Sequence, residues 1–159
     1  MDVMIVDDEP MVRRVLDRQA RALGHTTRTA ENGREALNAF AEAPADLVIT
    51  DIRMPEMDGL ELLKEIRERN AQTIVIVITG AGSVDYAAEA LRLGAHNYLD
   101  KPFKLTQIRQ LLDKYQQLVT GLSLRRECEL RVTRREVSLV LENERRLVPA
   151  AAEYLLAQA

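Results

Sequence analysis

The chain is poor in cysteine. Cys128 stands alone among 159 residues, so no intramolecular disulfide can form, and a reducing cytoplasm is the simplest setting. A dominant charge of one sign is also missing. Lysine and arginine number 22 against 25 aspartates and glutamates, and no basic tract stands out before residue 120, which argues against a direct nucleic-acid surface there. Long hydrophobic runs are absent as well. Met1-Asp2-Val3-Met4 leads into a short apolar run that ends in acids, with no basic leader and no long apolar centre, so neither a signal peptide nor a membrane span is expected. No internal repeat or low-complexity segment interrupts the chain. What remains is ordinary globular composition, 47% apolar and 30% charged, at a length that suits one domain and an appendage.

Short apolar runs alternate with amphipathic stretches. Val3 to Val6, Asp46 to Thr50 and Thr73 to Thr79 are the clearest runs, and His25 to Thr29 and His96 to Leu99 are weaker ones. Thr-Ile-Val-Ile-Val-Ile-Thr is β-branched throughout with no polar interruption, the mark of a parallel strand covered on both faces. Helical spacing appears between the runs: Met11, Val12, Val15 and Leu16; Ala36, Leu37 and Phe40; Leu60, Leu62, Leu63 and Ile66; Ala87, Ala90 and Leu91; and Leu105, Ile108, Leu111, Leu112, Tyr115, Leu118 and Val119. Gly24 and Gly94 stand where helices should stop. Five strands alternating with five helices predict an α/β fold with an open, doubly wound parallel sheet, for which the flavodoxin-like order 2-1-3-4-5 is one of the two common solutions.

Ligands of open α/β sheets bind at the carboxyl ends of the strands. Asp7 and Asp8 close the first strand, Asp51 the third, Thr79 the fourth and Lys101 the fifth. Three carboxylates on one edge repel one another unless a cation intervenes, and Mg²⁺ is a hard ion that takes oxygen ligands while keeping water. Lys101 offers a positive charge and Thr79 a hydroxyl for phosphate oxygens. Phosphoryl transfer needs chiefly positioning and charge neutralisation, and an aspartyl phosphate is an established covalent product. Taken singly, each group has a plainer reading. An Asp pair caps a turn, Asp51 caps a helix, and a lysine at a strand end faces solvent. Their placement on one edge favours the chemical reading.

The motifs Val6-Asp7-Asp8-Glu9, Asp51-Ile52-Arg53-Met54-Pro55-Glu56-Met57-Asp58-Gly59, Thr79-Gly80 and Tyr98-Leu99-Asp100-Lys101-Pro102-Phe103 resemble the receiver domain of bacterial response regulators, over residues 1–119. The resemblance implies that Asp51 accepts a phosphoryl group from a sensor histidine kinase or phosphotransfer protein. It implies Asp8 as a direct Mg²⁺ ligand, Asp7 as one acting through water, and the Arg53 backbone carbonyl as a further ligand beside Asp51. Thr79 and Tyr98 would form a switch pair, and the Lys101-Pro102 bond would be cis. The output surface would be the fourth helix, fifth strand and fifth helix, which could also dimerise. Gly82-Ser83-Val84 followed by Ala87 to Ala95 is similar to receivers of nitrogen-regulation-type activators. Arg53 departs from the smaller polar residue of many relatives, which puts access of water or a phosphatase in question. Such a chain is no enzyme beyond a single turnover on itself. A pseudo-receiver that binds proteins without phosphate is the alternative. A phosphatase would carry Asp-x-Asp after the first strand, and a flavin carrier a Ser/Thr-rich loop; neither is present.

Residues 120–159 are expected to be a C-terminal extension, too short to bury a core alone, which either packs on the receiver or on a partner chain or opens an output domain. Two patterns compete. Leu122 to Glu129 could prolong the fifth helix into a dimerising segment, or Cys128, Leu130, Val132, Val137, Leu139 and Leu141 could alternate as strands. Pro149 suits the first turn of a helix through Leu156. The stretch from Val137 to Ala157 is similar to the opening of anti-sigma-factor-type serine kinase domains, and less so to a winged helix, but contains no catalytic or base-reading motif. Arg125, Arg126, Arg131, Arg134 and Arg135 are interleaved with glutamates and read as a solvated face. His25 and His96 lie away from the acidic edge and read as structural.

Overall fold

A computed structural model describes residues 1–80 and 84–133. The elements run β1 (Asp2–Val6), α1 (Pro10–Ala22), β2 (Thr26–Ala30), α2 (Gly33–Glu42), β3 (Leu47–Asp51), α3 (Gly59–Arg69), β4 (Ile74–Gly80), α4 (Val84–Arg92), β5 (Asn97–Lys101) and α5 (Leu105–Thr133). All strand pairs are parallel, and the sheet order is β2-β1-β3-β4-β5. Of the two common orders that the alternation of runs allows, this is the flavodoxin-like one, which the receiver resemblance also implies. The chain separates into two compact units, Met1–Tyr115 and Gln116–Ala159.

Burial explains the strand compositions. β3 is buried along its whole length, and β4 from Ile74 to Thr79, so neither has a solvent face that would call for polar residues. β2 and β5 are the sheet edges, and their Thr-Thr-Arg-Thr-Ala and Asn-Tyr-Leu-Asp-Lys sequences mix buried and exposed positions. Met4, Val6, Val48, Val75 and Val77 pack with Ala36, Leu37 and Phe40 of α2 and Leu62, Leu63 and Ile66 of α3. The intervening strand residues Ile5, Ile49, Ile76 and Ile78 alternate to the opposite face. They are equally buried, as are Leu16 and Ala20 of α1 and Ile108, Leu112 and Tyr115 of α5.

Helix ends follow their local signals. Asn32 caps α2 by accepting the Glu35 N–H at 2.8 Å. Asp58 and Glu61 form a reciprocal capping box at the start of α3. Gly24 and Gly94 adopt φ of 82° and 95° just beyond α1 and α4, as their positions predicted. The Lys101-Pro102 bond is cis, also as expected.

The α1 expectation needs correction. Leu16 and Ala20, four residues apart, form the buried stripe, while Met11 is 67% and Val15 39% exposed. Val15 lies one position before Leu16, about 100° round the helix, and so turns away from the sheet. Leu91 of α4 and Leu105 of α5 are likewise exposed, leaving Ala87, Ala90, Ile108 and Leu112 as the inward residues. β2 and β5 each begin one residue later than the apolar runs suggested. In the second unit, helix continues to Thr133, so the strand reading of Cys128, Leu130 and Val132 does not hold. The expected strand at Val137 to Leu141 and helix after Pro149 lie outside the described residues, as does Gly82-Ser83.

Candidate functional site

The carboxyl ends of β1, β3, β4 and β5 surround one cleft, of about 510 Å³, lined among others by Asp8, Glu9, Asp51, Arg53, Thr79 and Lys101. The register explains the convergence. Val6 pairs with Thr50, Asp51 with Ile78 and Gly80 with Lys101, so the strands end nearly level and release their polar residues at one edge.

Asp51 is 7% exposed at the last position of β3. Its Oδ2 accepts the Arg53 N–H at 3.0 Å, and its Oδ1 lies 3.2 Å from Lys101 Nζ. The loop after it turns tightly. The Gly59 N–H donates to the Ile52 carbonyl at 2.8 Å, and a Cβ on Gly59 would stand 2.0 Å from the Asp51 carbonyl oxygen. Only glycine fits there. Asp7 is fully buried; its Oδ1 accepts the Glu9 N–H at 2.9 Å. Its Oδ2 lies 2.9 Å from Lys101 Nζ, an ion pair without the alignment of a hydrogen bond. Lys101 also donates to Glu9 Oε1 at 2.9 Å. One ammonium therefore serves three carboxylates.

The electrostatics follow from that ratio. Burial raises the Asp7 carboxyl above the ordinary range despite the opposing pull of Lys101. Asp51 is raised too, first by burial and further by the Asp7 charge, again against Lys101. Burial works against the charged form of Lys101, but its close contacts with the Glu9 and Asp7 carboxylates and the Asp51 charge outweigh it and raise its pKa. The edge is short of positive charge.

A divalent cation would supply it. Carboxylate oxygens of Asp7, Asp8 and Glu9 lie within 4.8 Å of one another, a separation that one ion can span. All three are hard oxygen donors, which fits Mg²⁺ better than a thiophilic metal. Asp8 is exposed, so its carboxylate is open to an ion from solvent.

Each sequence-predicted site residue reaches this edge except Tyr98. Asp7, Asp51 and Lys101 are in direct contact, Asp8 and Arg53 line the cleft, and Thr79 is buried beside Gly80. Tyr98 is 40% exposed on the edge strand and does not line the cleft. Sequence reasoning assigned no role to Glu9, although it stood inside the first motif. It also passed over Arg13, whose guanidinium bonds the carbonyls of Asp7 and Asp8 and the side chain of Glu31. No spacing rule would have found that pair, because Arg13 and Glu31 belong to different elements. His25 and His96 do stay away from the cleft. His96 Nδ1 accepts the Val75 N–H, and Tyr115 donates to its carbonyl.

Comparison with known proteins gives a consistent result. Residues 3–113 match the family described as response regulator receiver domain. The chain is similar to the regulatory protein AtoC of Escherichia coli K12, 46% identical over 116 residues covering 73% of this chain and 25% of AtoC. The DNA-binding transcriptional regulator NtrC of the same organism is 42% identical over 112 residues, covering 70% and 24% respectively. The chain thus matches about a quarter of the length of these relatives. Among solved structures, the receiver domain of NtrX from Brucella abortus superposes with a TM-score of 0.69 at 34% identity, covering 72% of this chain and 97% of that one. The chemotaxis response regulator CheY4 of Vibrio cholerae gives 0.67 at 30%, covering 72% and 97%.

Proposed function

This chain belongs to the response regulator receiver domain family, and from that premise we propose that Asp51 is its phosphoacceptor, supplied by a sensor histidine kinase or phosphotransfer protein in the cytoplasm. The observation that carries the reading is the shared ammonium: Lys101 lies between Asp7, Glu9 and Asp51 at 2.9–3.2 Å. In the transfer, a carboxylate oxygen of Asp51 forms a bond to phosphorus as the phosphorus–nitrogen bond of the donor phosphohistidine breaks. Lys101 exchanges its Asp51 contact for a phosphoryl oxygen, and the Thr79 hydroxyl turns to donate to another. The Arg53 N–H holds the acceptor carboxylate in place throughout.

Asp8 would hold Mg²⁺ directly and Asp7 through water, with Asp51 and the Arg53 carbonyl as further ligands. Bound there, the ion supplies charge neutralisation for the incoming phosphate. Thr79 and Tyr98 form the switch pair in this reading. Withdrawal of Thr79 towards the phosphoryl group leaves room for the exposed Tyr98 ring to turn inward and alter the α4-β5-α5 surface. That surface then changes its affinity for a second copy or an output partner, which is what a population shift requires. The receiver extends over residues 1–119, and residues 120–159 form an extension, a linker with either the start of an output domain or a dimerisation segment. No helix among the described residues is long and apolar enough to cross a membrane.

The test is phosphorylation of the intact chain by a small acyl-phosphate donor with Mg²⁺, followed by intact-mass measurement. Wild type should gain one phosphoryl group and Asp51→Asn none. Equal labelling of the two proteins removes Asp51 from the role. Absence of both labelling and Mg²⁺ affinity in wild type would instead make the chain a phosphate-independent binding module.

A further inference from the structure

Two consecutive carbonyls of the acidic turn are gripped by a side chain that the proposed chemistry does not use. Arg13 lies in the first turn of α1. Its Nη1 donates to the Asp7 carbonyl at 2.6 Å and to the Asp8 carbonyl at 3.1 Å, and its Nη2 meets Glu31 Oε1 at 2.7 Å. The Arg13 side chain is 12% exposed, whereas that of Glu31 is 70% exposed. The ion pair with Glu31 is therefore screened by water, and the sheltered contacts are those to the two carbonyls.

Helix formation does not account for this arginine. A cation in the first turn opposes the positive end of the helix dipole. α1 has no acidic residue in that turn and no side-chain cap bond to offset it. What the guanidinium does provide is a planar fork that can bond two acceptors and an anion at once. The turn has few other restraints. Asp7 is fixed through its N–H on the Ala30 carbonyl at 3.3 Å and through its carboxylate, but the bond from Arg13 is the only hydrogen bond that Asp8 makes among the described residues. Yet the Asp8 carboxylate stands within 4.8 Å of those of Asp7 and Glu9. Three anions held that close need a backbone that cannot relax away from the repulsion.

We propose that Arg13 is a positioning residue for divalent-cation binding. By clasping both carbonyls, it fixes the two peptides on either side of Asp8 so that the Asp7 and Asp8 carboxylates are presented together before the ion arrives. The inference rests on the reading of the acidic edge as a cation site. Groups that orient ligands from behind in this way alter metal affinity about 10-fold or more when replaced. Arg13 touches neither the phosphoryl group nor its acceptor, so its removal should weaken metal binding without slowing transfer once metal saturates.

The experiment uses the full chain and two variants at the clasp. Arg13→Lys keeps the charge but has one donor group, which cannot span two carbonyls and Glu31. Arg13→Gln keeps a single neutral donor and gives an independent reading should the lysine variant fold poorly. Calorimetric titration with Mg²⁺ alone should show a dissociation constant raised about 10-fold in both. Labelling of Asp51 by a small acyl-phosphate donor at saturating Mg²⁺ should stay within about two-fold of wild type, the signature of a change confined to metal binding. Glu31→Gln, which leaves the clasp intact, should bind Mg²⁺ within about two-fold of wild type, as expected for a screened pair. Unchanged Mg²⁺ affinity in folded Arg13 variants overturns the proposal, as does a saturated labelling rate that falls as far as the affinity. Wild type that neither binds Mg²⁺ nor becomes labelled is a separate result and defeats the underlying reading.

Discussion

Lys101 is the residue on which the acidic edge depends. Its ammonium stands against two buried carboxylates, Asp7 and Asp51, and the exposed Glu9. Replacing it with Gln leaves both buried acids unpaired, and their pKa values rise further above 3.8. A carboxyl whose folded-state pKa lies above its unfolded value binds more protons when folded. Stability then falls as pH rises from the unfolded pKa through the folded one. Lys101→Gln should therefore cost about 2–3 kcal/mol at pH 7, below the full value of a broken buried pair because Lys101 is partly exposed. At a pH near 4 the loss should be much smaller. Urea denaturation at the two pH values decides the matter, and an equal loss at both would mean that packing, not charge, sets the effect. Arg53 adds a second residue-scale feature. Its Nη2 would lie 3.4 Å from a Cβ on Gly80, so the side chain reaches from the β3 end to the β4 end across the cleft.

The loops that carry the site are held by contacts too close for any other residue. Gly59, the first residue of α3, packs its Cα against the Asp51 carbonyl. Gly33 opens α2 in a similar way, donating its N–H to the Met57 carbonyl at 3.1 Å while its missing side chain makes room for Met57. Both helices are thereby pinned to the loop that follows the acceptor. Gly59→Ala should cost about 3 kcal/mol or more, since the obstacle is backbone and cannot swing aside. A chemical-denaturation midpoint shift far smaller than this would show that the loop yields, and Mg²⁺ affinity would then report how far. The α1 result belongs to this scale as well. Sequence periodicity grouped Met11 and Val15 with Leu16, because hydropathy records that a residue is apolar and not which side of the helix the sheet occupies. The outcome is an exposed Met11 and Val15 on α1 and an exposed Leu91 and Leu105 on α4 and α5.

For the molecule as a whole, two expectations concern the limits of the fold. Residues 1–119 contain every strand of the sheet and the buried residues Ile108, Leu112 and Tyr115 of α5. A fragment ending at residue 119 should melt within a few degrees of the intact chain and bind Mg²⁺ equally well, because it keeps the whole sheet and those buried helical residues. A drop well beyond that, measured by calorimetry, would assign the extension a structural part in the receiver. The second expectation concerns acid. Burial lowers the pKa of His25, and burial with the nearby Arg67 and Lys114 charges lowers that of His96. Each imidazole then favours the folded state fully above its unfolded pKa of 6.5, and the contribution is lost as pH falls below it. Protonated His96 could no longer accept the Val75 N–H. The melting temperature should therefore decline between about pH 7 and pH 5, and a His25→Gln, His96→Gln double variant should decline less. An identical slope in the two proteins would place the acid sensitivity elsewhere.

The amino-acid sequence by itself settled the α/β alternation and the family. Each rests on features that lie close together along the chain: the unbroken β-branched run of β4, glycines after α1 and α4, and acids where strands stop. It also brought Asp7, Asp8, Asp51, Thr79 and Lys101 to one edge, because parallel strands of matched length end together. Tertiary structure alone decided which side of α1 faces the sheet, that Glu9 shares Lys101 with Asp7 and Asp51, and that Arg13 reaches both carbonyls of the acidic turn. Those are relations between residues on different elements, or between a side chain and backbone groups. Local pattern cannot encode them, since they arise only when helices and loops are packed at fixed distances round the sheet.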